Sequence, residues 1–528
     1  MKKNLIRLSV VAALTTSSFA SDINKEMLNQ IQALKAQIEA LEKKVAEQEV
    51  KQQTQTSAVT TVDEKRIEKI EKKLDTVSNT ATAAKIQSGN DNLKWDVDFR
   101  TQVDNIQYKH ADGSKSENNA LLTNRLWLGM AYKADDNSSF HGKLSYNKAF
   151  GDTANHSQSN TNPGYANFDW VTNENATDNT IKLKEAYWLY TQEKLFGSDI
   201  PWAASVGRRP STDGLPINIR NDQQANSPLS HVVDVEFDGF SIKFDTDTLT
   251  GLTGSWLKIC GGRGLTNAVP RFDMFSPAYS QDDDKNVDVD MLGFIAVPYD
   301  NGQYSVHMNY AKAWNLIGFD GQSLQSFNTA YGAYQSSPSS TTAYNLQMAT
   351  PSFKDVGDID FATILFKTEG IGDGISDYLD NTIAFASFAA SKTNPNSLGM
   401  LGSTDSETGT SVWLGINAPC PITPDVAKIG FEWNKGSKYW RSMTYGEDTY
   451  AGSKIATRGQ AWEVYRNQQL TKSLTWGVSY VFMDYDYTGS NSFFGADGTP
   501  MTMSQAQAAG QNPVAEAQDV RTYIRYKF

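Results

Sequence analysis

The chain has 528 residues, of which 60 are Asp or Glu and 48 are Lys or Arg, so its formal net charge is −12 at pH 7. An acidic chain without a basic stripe or a recognition motif is not expected to bind nucleic acid. A chain of this length can hold two or three soluble domains or one large β-barrel.

Residues 1–20 predict a secretory signal peptide. A cationic start is followed by a short apolar run at 8–14 and by a small-x-small cleavage site from Ser18 to Ala20. The segment carries three cations and no acid, so its removal takes the formal charge from −12 to −15. Export excludes a cytoplasmic enzyme. After residue 20 no apolar run approaches the ~18 residues that a membrane helix needs, so a spanning fold would have to be a closed barrel.

Residues 21–78 predict a periplasmic coiled coil. Heptad-spaced apolar residues indicate one α-helix at about 24–48 and a second at about 64–78, and the two apolar stripes differ in phase. Self-association of the first helix is favoured over packing against its own neighbour. Residues 79–92, which are rich in small side chains, predict a linker.

Residues 93–528 predict an all-β fold, a transmembrane antiparallel up-and-down β-barrel. Apolar and polar residues alternate, most clearly where Trp476, Tyr480 and Phe482 share one face. The pattern indicates sixteen strands, an even number as in single-chain bacterial barrels. The predicted strands are 95–109, 121–134, 139–150, 180–192, 202–210, 232–244, 251–261, 288–299, 303–315, 358–367, 380–391, 410–418, 426–434, 458–468, 472–487 and 519–528.

The predicted connections alternate in length. Those after even-numbered strands are short and those after odd-numbered strands are mostly long, which is typical of the periplasmic turns and outer loops of outer-membrane barrels. This places Cys420 in a periplasmic turn and Cys260 near the outer end of the seventh strand. Because a disulfide needs Cα atoms within ~7 Å, two free thiols are expected. The longest insertion, 316–357, is compatible with folding inward or standing outward.

Charged residues that alternate with the apolar faces are the candidate pore lining. Their signs are nearly balanced, and opposed rows also neutralise each other across strands, so the ion selectivity is left open. The predicted lining comprises Asp96, Asp98, Asp288, Asp290 and Glu432 against Arg100, Arg125, Lys143, Arg521 and Arg525.

Asp282, Asp284 and Asn286 recur at alternate positions, as in a calcium loop. Val287 stands where such a loop requires glycine, and Gly293 stands where it requires a closing Glu. A solvated acidic loop is therefore the preferred interpretation, and no cofactor is expected. The five histidines show no metal-ligand spacing, and no catalytic residue is identified, so an enzyme is not expected.

The last ten residues, 519–528, form a strictly amphipathic strand. Ile524, Tyr526 and Phe528 share its apolar face, and Arg521 and Arg525 lie on the other. This strand resembles the closing strand of bacterial outer-membrane β-barrels, in which a terminal Phe behind alternating apolar residues is the signal read by the barrel-insertion machinery. Over nearly its full length the chain is similar to porin-type barrels, and specifically to an uncharacterised porin-like family.

The resemblance implies a location in the outer membrane of a Gram-negative bacterium, in contact with its lipid. It also implies a homo-oligomer with a trimer favoured, although the heptads of the coil favour two strands. Porins carry a Gly-Arg step near the constriction, and Arg208, Arg209 and Arg220 are the corresponding candidates here. The alternative role for these arginines is a loop-anchoring salt bridge.

The predicted function is an outer-membrane porin, a water-filled channel for passive diffusion of small hydrophilic solutes or ions. The alternative is a surface structural protein or adhesin, tethered to the cell wall by the coil, and a plugged lumen would favour it. A barrel enzyme would need a Ser–His or acid pair at the outer rim. Uptake of apolar molecules would need an apolar lumen, which the charged faces oppose.

Overall fold

A computed structural model describes residues 93–152, 175–176, 179–266, 288–351, 353–372, 374–445, 447–490 and 494–528. The signal peptide 1–20, the coil 21–78, the linker 79–92 and the weak calcium candidates Asp282, Asp284 and Asn286 lie outside the described residues. Within the described ranges, no helix is both long and apolar enough to cross a membrane.

Sixteen antiparallel strands form a closed barrel. Closure is shown by β1, since its Phe99 lies opposite Leu126 of β2 and also opposite Tyr526 of the last strand. The strands are β1 Leu93–His110, β2 Lys115–Lys133, β3 Ser138–Ala149, β4 Lys182–Gln192, β5 Trp202–Arg209, β6 Phe237–Asp245, β7 Trp256–Thr266, β8 Asp288–Asp300, β9 Tyr304–Phe319, β10 Lys354–Glu369, β11 Ile383–Pro395, β12 Thr408–Pro419, β13 Ala427–Gly436, β14 Gly459–Gln469, β15 Leu474–Tyr485 and β16 Val514–Lys527.

The number and order of the predicted strands are confirmed, and several boundaries differ by about five residues. β2 and β16 begin six and five residues earlier than predicted, whereas β6 and β7 begin five residues later, at Phe237 and Trp256. Val233 and Val235 precede β6 and are buried, which shows that the apolar run there belongs to a loop packed inside the barrel. The ambiguous phase of β4 has a local cause, a bulge that turns Lys184 and Glu185 to the same buried side.

The alternation of short and long connections is confirmed as well. The short connections lie at the end where Phe528 pairs with Val97, through hydrogen bonds of 2.9 and 3.0 Å between their backbones. Both cysteines are free. Cys420 lies in a short turn as predicted, whereas Cys260 lies in the middle of β7 because this strand starts later.

The outward face of the barrel is apolar and rich in aromatic side chains. A band of this kind is what lipid requires of a spanning barrel, because the strands pair every backbone group and leave only side chains to contact the acyl chains. Exposed members of the band include Trp95, Phe99, Phe140, Trp188, Val206, Phe294, Met308, Tyr310, Phe366, Phe388, Leu414, Phe431, Val464, Tyr480, Val520, Ile524, Tyr526 and Phe528.

The long loop within the predicted insertion 316–357 folds as two helices, α3 and α4. The Asp320 side chain caps the first by accepting a hydrogen bond from the Ser323 backbone at 2.8 Å, and Ser339 and Thr342 form a capping box on the second. Most of this hairpin is exposed to solvent. The described helices are α1 Ile217–Asn221, α2 Asp247–Thr250, α3 Gly321–Ser336, α4 Ser340–Met348, α5 Asp377–Asp380 and α6 Met503–Ala508, with a 3-10 turn at Ala496–Gly498.

Two other loops, 210–236 and 437–458, fill the lumen, and we call them the plug. They are joined by a short parallel pairing of Val233–Asp234 with Met443–Thr444. On one side the plug packs against lumen-facing apolar residues of the wall, and the buried cluster contains Val232, Val233, Val235, Trp440, Val289, Ala311, Ala313, Ile359, Phe361 and Ala389. The barrel therefore has a second hydrophobic face, turned inward.

Two lumen-facing glycines lie directly beneath tyrosine rings of the neighbouring strand. A Cβ atom on Gly430 would stand 2.0 Å from the ring of Tyr465, and one on Gly477 would stand 2.1 Å from the ring of Tyr523. Each glycine is also the cross-strand partner of its tyrosine. Aromatic cover of a strand glycine of this kind fixes the register of the two strands.

Substitution Gly430→Val is therefore expected to destabilise the barrel by about 1–3 kcal/mol, the usual cost of overpacking. The measurement is the temperature at which the folded form loses its faster migration in a denaturing gel. Gly332→Val in α3 is the matched control, because nothing lies within 4 Å of the Cβ it would add. Equal transition temperatures for the two variants would contradict this account of Gly430.

Candidate functional site

A cavity of about 710 Å³ lies inside the barrel at the short-turn end. Its cationic lining consists of Arg209, Lys243, Lys258, Lys367 and Lys428, and we call it the basic vestibule. Asp222 and Glu369 are the carboxylates of its lining. Lys428 and Glu369 are exposed to solvent, which places the mouth of the cavity at this end of the barrel.

Three of the five vestibule cations lack a carboxylate partner. Lys367 pairs with Glu369 at 2.5 Å and Lys243 with Asp245 at 2.6 Å. Among the residues that the structure describes, Arg209, Lys258 and Lys428 form no salt bridge, and Lys258 donates a hydrogen bond to Ser227 at 2.6 Å. A concave, low-dielectric site with unpaired cations concentrates anions.

Beyond the vestibule, Asp448 of the plug meets three arginines of the wall. Arg100 donates two hydrogen bonds to its carboxylate, at 2.5 and 2.6 Å. Guanidinium nitrogens of Arg125 and Arg521 lie 3.6 Å from the same carboxylate, and Arg521 also donates to the Asp448 carbonyl. Burial alone would raise the pKa of Asp448, but Arg100, Arg521 and Arg125 outweigh it and hold that pKa well below its ordinary value. We call these four residues the Asp448 cluster.

The strands place these arginines by simple alternation. Lumen-facing positions of β1 and β16 carry both signs, so carboxylates of the wall pair with Arg521 and Arg525. Asp104 accepts from Arg521 at 2.6 Å, and Asp98 accepts from Arg525 at 2.8 Å. The Asp448 carboxylate pairs with the guanidinium N–H groups that these wall carboxylates leave available.

A second buried network ties the plug to β13 and β14. The side chain of Lys454 is 0% exposed and lies 2.5 Å from both Glu432 and Glu463. Arg220, from the other plug loop, donates to Glu463 at 2.6 Å and to the carbonyl of Glu447 at 2.7 Å. Two carboxylates of the wall are thus neutralised by one cation from each loop.

His231 is buried in the plug, with 0% exposure. Its two ring nitrogens lie 2.7 Å from the Ser387 hydroxyl and 2.9 Å from the Ser411 hydroxyl, and the rings of Trp413 and Trp440 pack on it. Burial lowers the pKa of His231 to about 3. A neutral imidazole donates one hydrogen bond and accepts the other here, which is the arrangement of a structural histidine enclosed away from solvent.

Most of the predicted lining residues lie on the lumen side of their strands. Arg209 reaches the vestibule, and Lys143 pairs with Glu185. The residues whose positions alternate into the lumen are Asp96, Asp98, Arg100, Arg125, Lys143, Arg209, Glu432, Arg521 and Arg525. Arg208 and Arg220 act in the way the alternative supposed, as anchors of loop 210–236, with Arg208 held by Glu236 and, at 3.3 Å, by Asp238.

The prediction that Asp288 and Asp290 line the pore is wrong, because both side chains face outward. Both bind the exposed Arg263, at 2.6 and 2.7 Å, near the outer end of β8. The alternate residues of this strand, including Val289 and Ile295, are buried inside the barrel. The sequence shows which face of β8 is apolar. That face packs against the plug and does not contact lipid.

The plug residues Asp448, Lys454 and His231 were not among the predicted site residues. They lie in long loops without periodicity, where a charge normally marks a solvated surface. The only sequence signal is the density of charge in the loop itself, which includes Arg441, Glu447, Asp448, Lys454 and Arg458.

The fold and site together define a sixteen-stranded β-barrel with a plugged lumen and a basic vestibule. The chain belongs to the family described as a protein of unknown function (DUF3373), whose model matches residues 115–528. A search of curated proteins found no match.

A search of solved structures found similar chains at low identity. OprB of Pseudomonas putida is 11% identical, with a TM-score of 0.43, over 84% of this chain and 96% of that one. The anion-selective porin from Comamonas acidovorans is 12% identical, with a TM-score of 0.42, over 82% and 100%. OmpF of Salmonella typhi is 10% identical, with a TM-score of 0.40, over 83% and 99%. The barrel of this chain is established by its own strand register.

Removal of the buried lysine by Lys454→Met is expected to destabilise the folded state by about 3–5 kcal/mol, because Glu432 and Glu463 then share one cation in a dry site. The measurement is urea unfolding of the refolded protein. Lys438→Met, an exposed position of the same loop, is the control and is expected to change little. A wild-type unfolding midpoint for Lys454→Met would show that the network does not stabilise the plug.

The low pKa of His231 predicts a defined loss of stability in acid. In the unfolded chain this histidine takes up a proton near its ordinary pKa of 6.5, whereas the folded chain resists protonation until about pH 3. Its contribution is therefore present above pH 6.5 and is lost as the pH falls from 6.5 toward 3. The variant His231→Gln is expected to lose less stability than the wild type between pH 7 and pH 4.5. His110→Gln, at the rim of β1, is the control for the substitution itself.

Proposed function

We propose that this chain is a channel of the Gram-negative outer membrane that passes small hydrophilic solutes, with a preference for anions. The observation that carries the proposal is the basic vestibule, a wide cavity at the short-turn end with three cations that no described carboxylate neutralises. The cationic lining stands out because the chain as a whole is acidic.

The vestibule supplies a physical basis for selection. Cations on a concave wall raise the local concentration of anions and lower that of cations, and low salt strengthens the effect. Sixteen strands leave room for an aqueous lumen. The plug then narrows that lumen, so the path is set by the loops 210–236 and 437–458 and not by the exposed hairpin of α3 and α4.

A second candidate is a surface structural protein or adhesin, and the filled lumen favours it. The plug spans from β1 to β11, and a purely structural barrel would have no reason to keep a path open. It would equally have no reason to collect unpaired cations at the short-turn end. Conductance separates the two candidates.

The proposed setting follows the same reasoning. The apolar band contacts lipid, and Ile524, Tyr526 and Phe528, which face outward on β16, present the signal for the barrel-insertion machinery. The short turns face the periplasm. A trimer is the proposed assembly, and no cofactor or catalytic step is part of the proposal.

The test is single-channel conductance of the refolded protein in a planar bilayer with a potassium chloride gradient. We expect discrete conductance steps. We also expect a reversal potential whose sign shows that chloride carries more current than potassium. Each vestibule charge at about 5 Å from a passing ion contributes roughly 0.8 kcal/mol in water. The double variant Arg209→Gln, Lys428→Gln is therefore expected to lower the chloride preference by roughly tenfold.

Lys312→Gln is the control, because its side chain lies on the outward face beside Asp358. Its reversal potential is expected to match the wild type. A folded barrel that never conducts would refute the channel hypothesis and favour the surface structural protein or adhesin. Conductance without anion preference would remove only the role of the vestibule.

A further inference from the structure

We propose that Arg100, Arg125 and Arg521 form a binding site for a small oxyanion, a carboxylate or a phosphate, and that Asp448 of the plug occupies this site as a built-in ligand. An incoming anion binds by replacing the Asp448 carboxylate, which releases the plug from this part of the wall. The transport role of the exchange rests on the proposed function, whereas the binding site itself does not.

The geometry around Asp448 is that of a bound ligand. Arg100 grips both carboxylate oxygens, at 2.5 and 2.6 Å, which is the bidentate arrangement by which a guanidinium recognises carboxylate and phosphate alike. Arg125 and Arg521 close the site from two further strands at 3.6 Å. The ring of Trp127 lies 3.7 Å beneath the Arg125 guanidinium and fixes it in place.

The wall by itself leaves this site with excess positive charge. Arg521 is shared with Asp104 and, at 3.8 Å, with Asp519, and Arg125 lies 3.5 Å from Asp98. Arg100 has Asp448 as its carboxylate partner and no second one in the described part of the chain. All three arginines are more than nine-tenths buried. Without Asp448 they would need another anion, because a buried unpaired guanidinium is costly.

The space at the site favours replacement over addition. A cavity of about 30 Å³ lies among Arg100, Arg125, Arg521 and Asp448, and at about 10–15 Å³ per water molecule it has room for only two or three. A dicarboxylate is larger than this. An oxyanion that contacts all three guanidinium groups has to take the position of the Asp448 carboxylate.

The loop tip is held in a conformation that favours release. Glu447 and Asp448 have φ values of +45° and +64°, in the left-handed region. Each such residue stores about 1–2 kcal/mol that contacts must offset. Displacement of the Asp448 carboxylate removes the strongest of those contacts at the tip.

The site is also next to the vestibule. Arg220 and Asn221 line the small cavity, and Asp222 lines the vestibule, so one turn at the end of α1 separates the two. That turn is held by backbone carbonyls, since Arg525 donates to the carbonyl of Asn221 and Lys527 donates to that of Asp222 at 3.1 Å. An anion drawn into the vestibule therefore lies one turn away from the arginines.

The experiment is isothermal titration of the refolded full chain in detergent with inorganic phosphate and, separately, with succinate. Asp448→Asn removes the competing charge and suits the left-handed backbone, so it is expected to bind at least one probe about tenfold more tightly than the wild type. Tighter binding of phosphate or of succinate identifies which oxyanion the site prefers. The double variant Arg100→Gln, Asp448→Asn is expected to lose the gain.

Glu236→Gln is the matched control, a lumen carboxylate of the other plug loop that pairs with Lys184 and Arg208. It is expected to bind the probes as the wild type does. If Asp448→Asn fails to refold, Asp448→Gly, which relieves the left-handed backbone, takes its place with the same expectation. Affinity for both probes unchanged in the Asp448 variant, or an equal gain in Glu236→Gln, would overturn the proposal. Because titration requires no conductance, a barrel that binds but never conducts would refute the channel alone.

Discussion

A charge carried into the lumen has to meet an opposite charge there, and this constraint organises the barrel. The loops 210–236 and 437–458 bring Arg220, Asp448 and Lys454 inside. The barrel wall supplies the opposite charges, which are carboxylates on β13 and β14 and arginines on β1, β2 and β16. Because each unpaired member would cost several kcal/mol, plug and wall form one matched set. The alternating charges of the strands are thus the complement of the loops as well as a lining for water.

The plug is held differently on its two sides. Toward β8–β11 it packs by apolar contacts such as those of Val232 and Val233 with Ile359 and Phe361. Toward β1, β2 and β16 the ion pairs of Asp448 add to a smaller apolar cluster, in which Ala451 of the plug packs with Ile106 and Ala517. Apolar packing is lost only with exposure to water, whereas an ion pair can be exchanged for another ion of the same sign. The ion pairs of Asp448 are therefore the contacts of the plug that differ in kind from its apolar packing.

The fold was predictable from the sequence because strand periodicity and loop length are local and independent signals. Both gave sixteen strands and the same polarity. The apolar face of β8 was misassigned because period 2 shows that a face is apolar but not whether lipid or protein covers it, and Val289 and Ile295 face protein. The helices within 316–357 did carry a local signal, since Asp320 and Ser339 stand three residues before the backbone groups they cap. Asp448 carried none, because its partners are 73 to 348 positions away.

The overall charge of the chain gives no guide to what its interior attracts. Acidic residues outnumber basic ones in the sequence, yet cations outnumber carboxylates in the lining of the vestibule and in the Asp448 cluster. Carboxylates on the outward rim, such as Asp288 and Asp290, lie outside that path and are screened over about 8–10 Å at ordinary salt. The field that a solute meets is therefore set by the few side chains within one screening length of the path. In this barrel the vestibule lining has five cations against the carboxylates Asp222 and Glu369, and the carboxylate that balances Arg100 is on a loop.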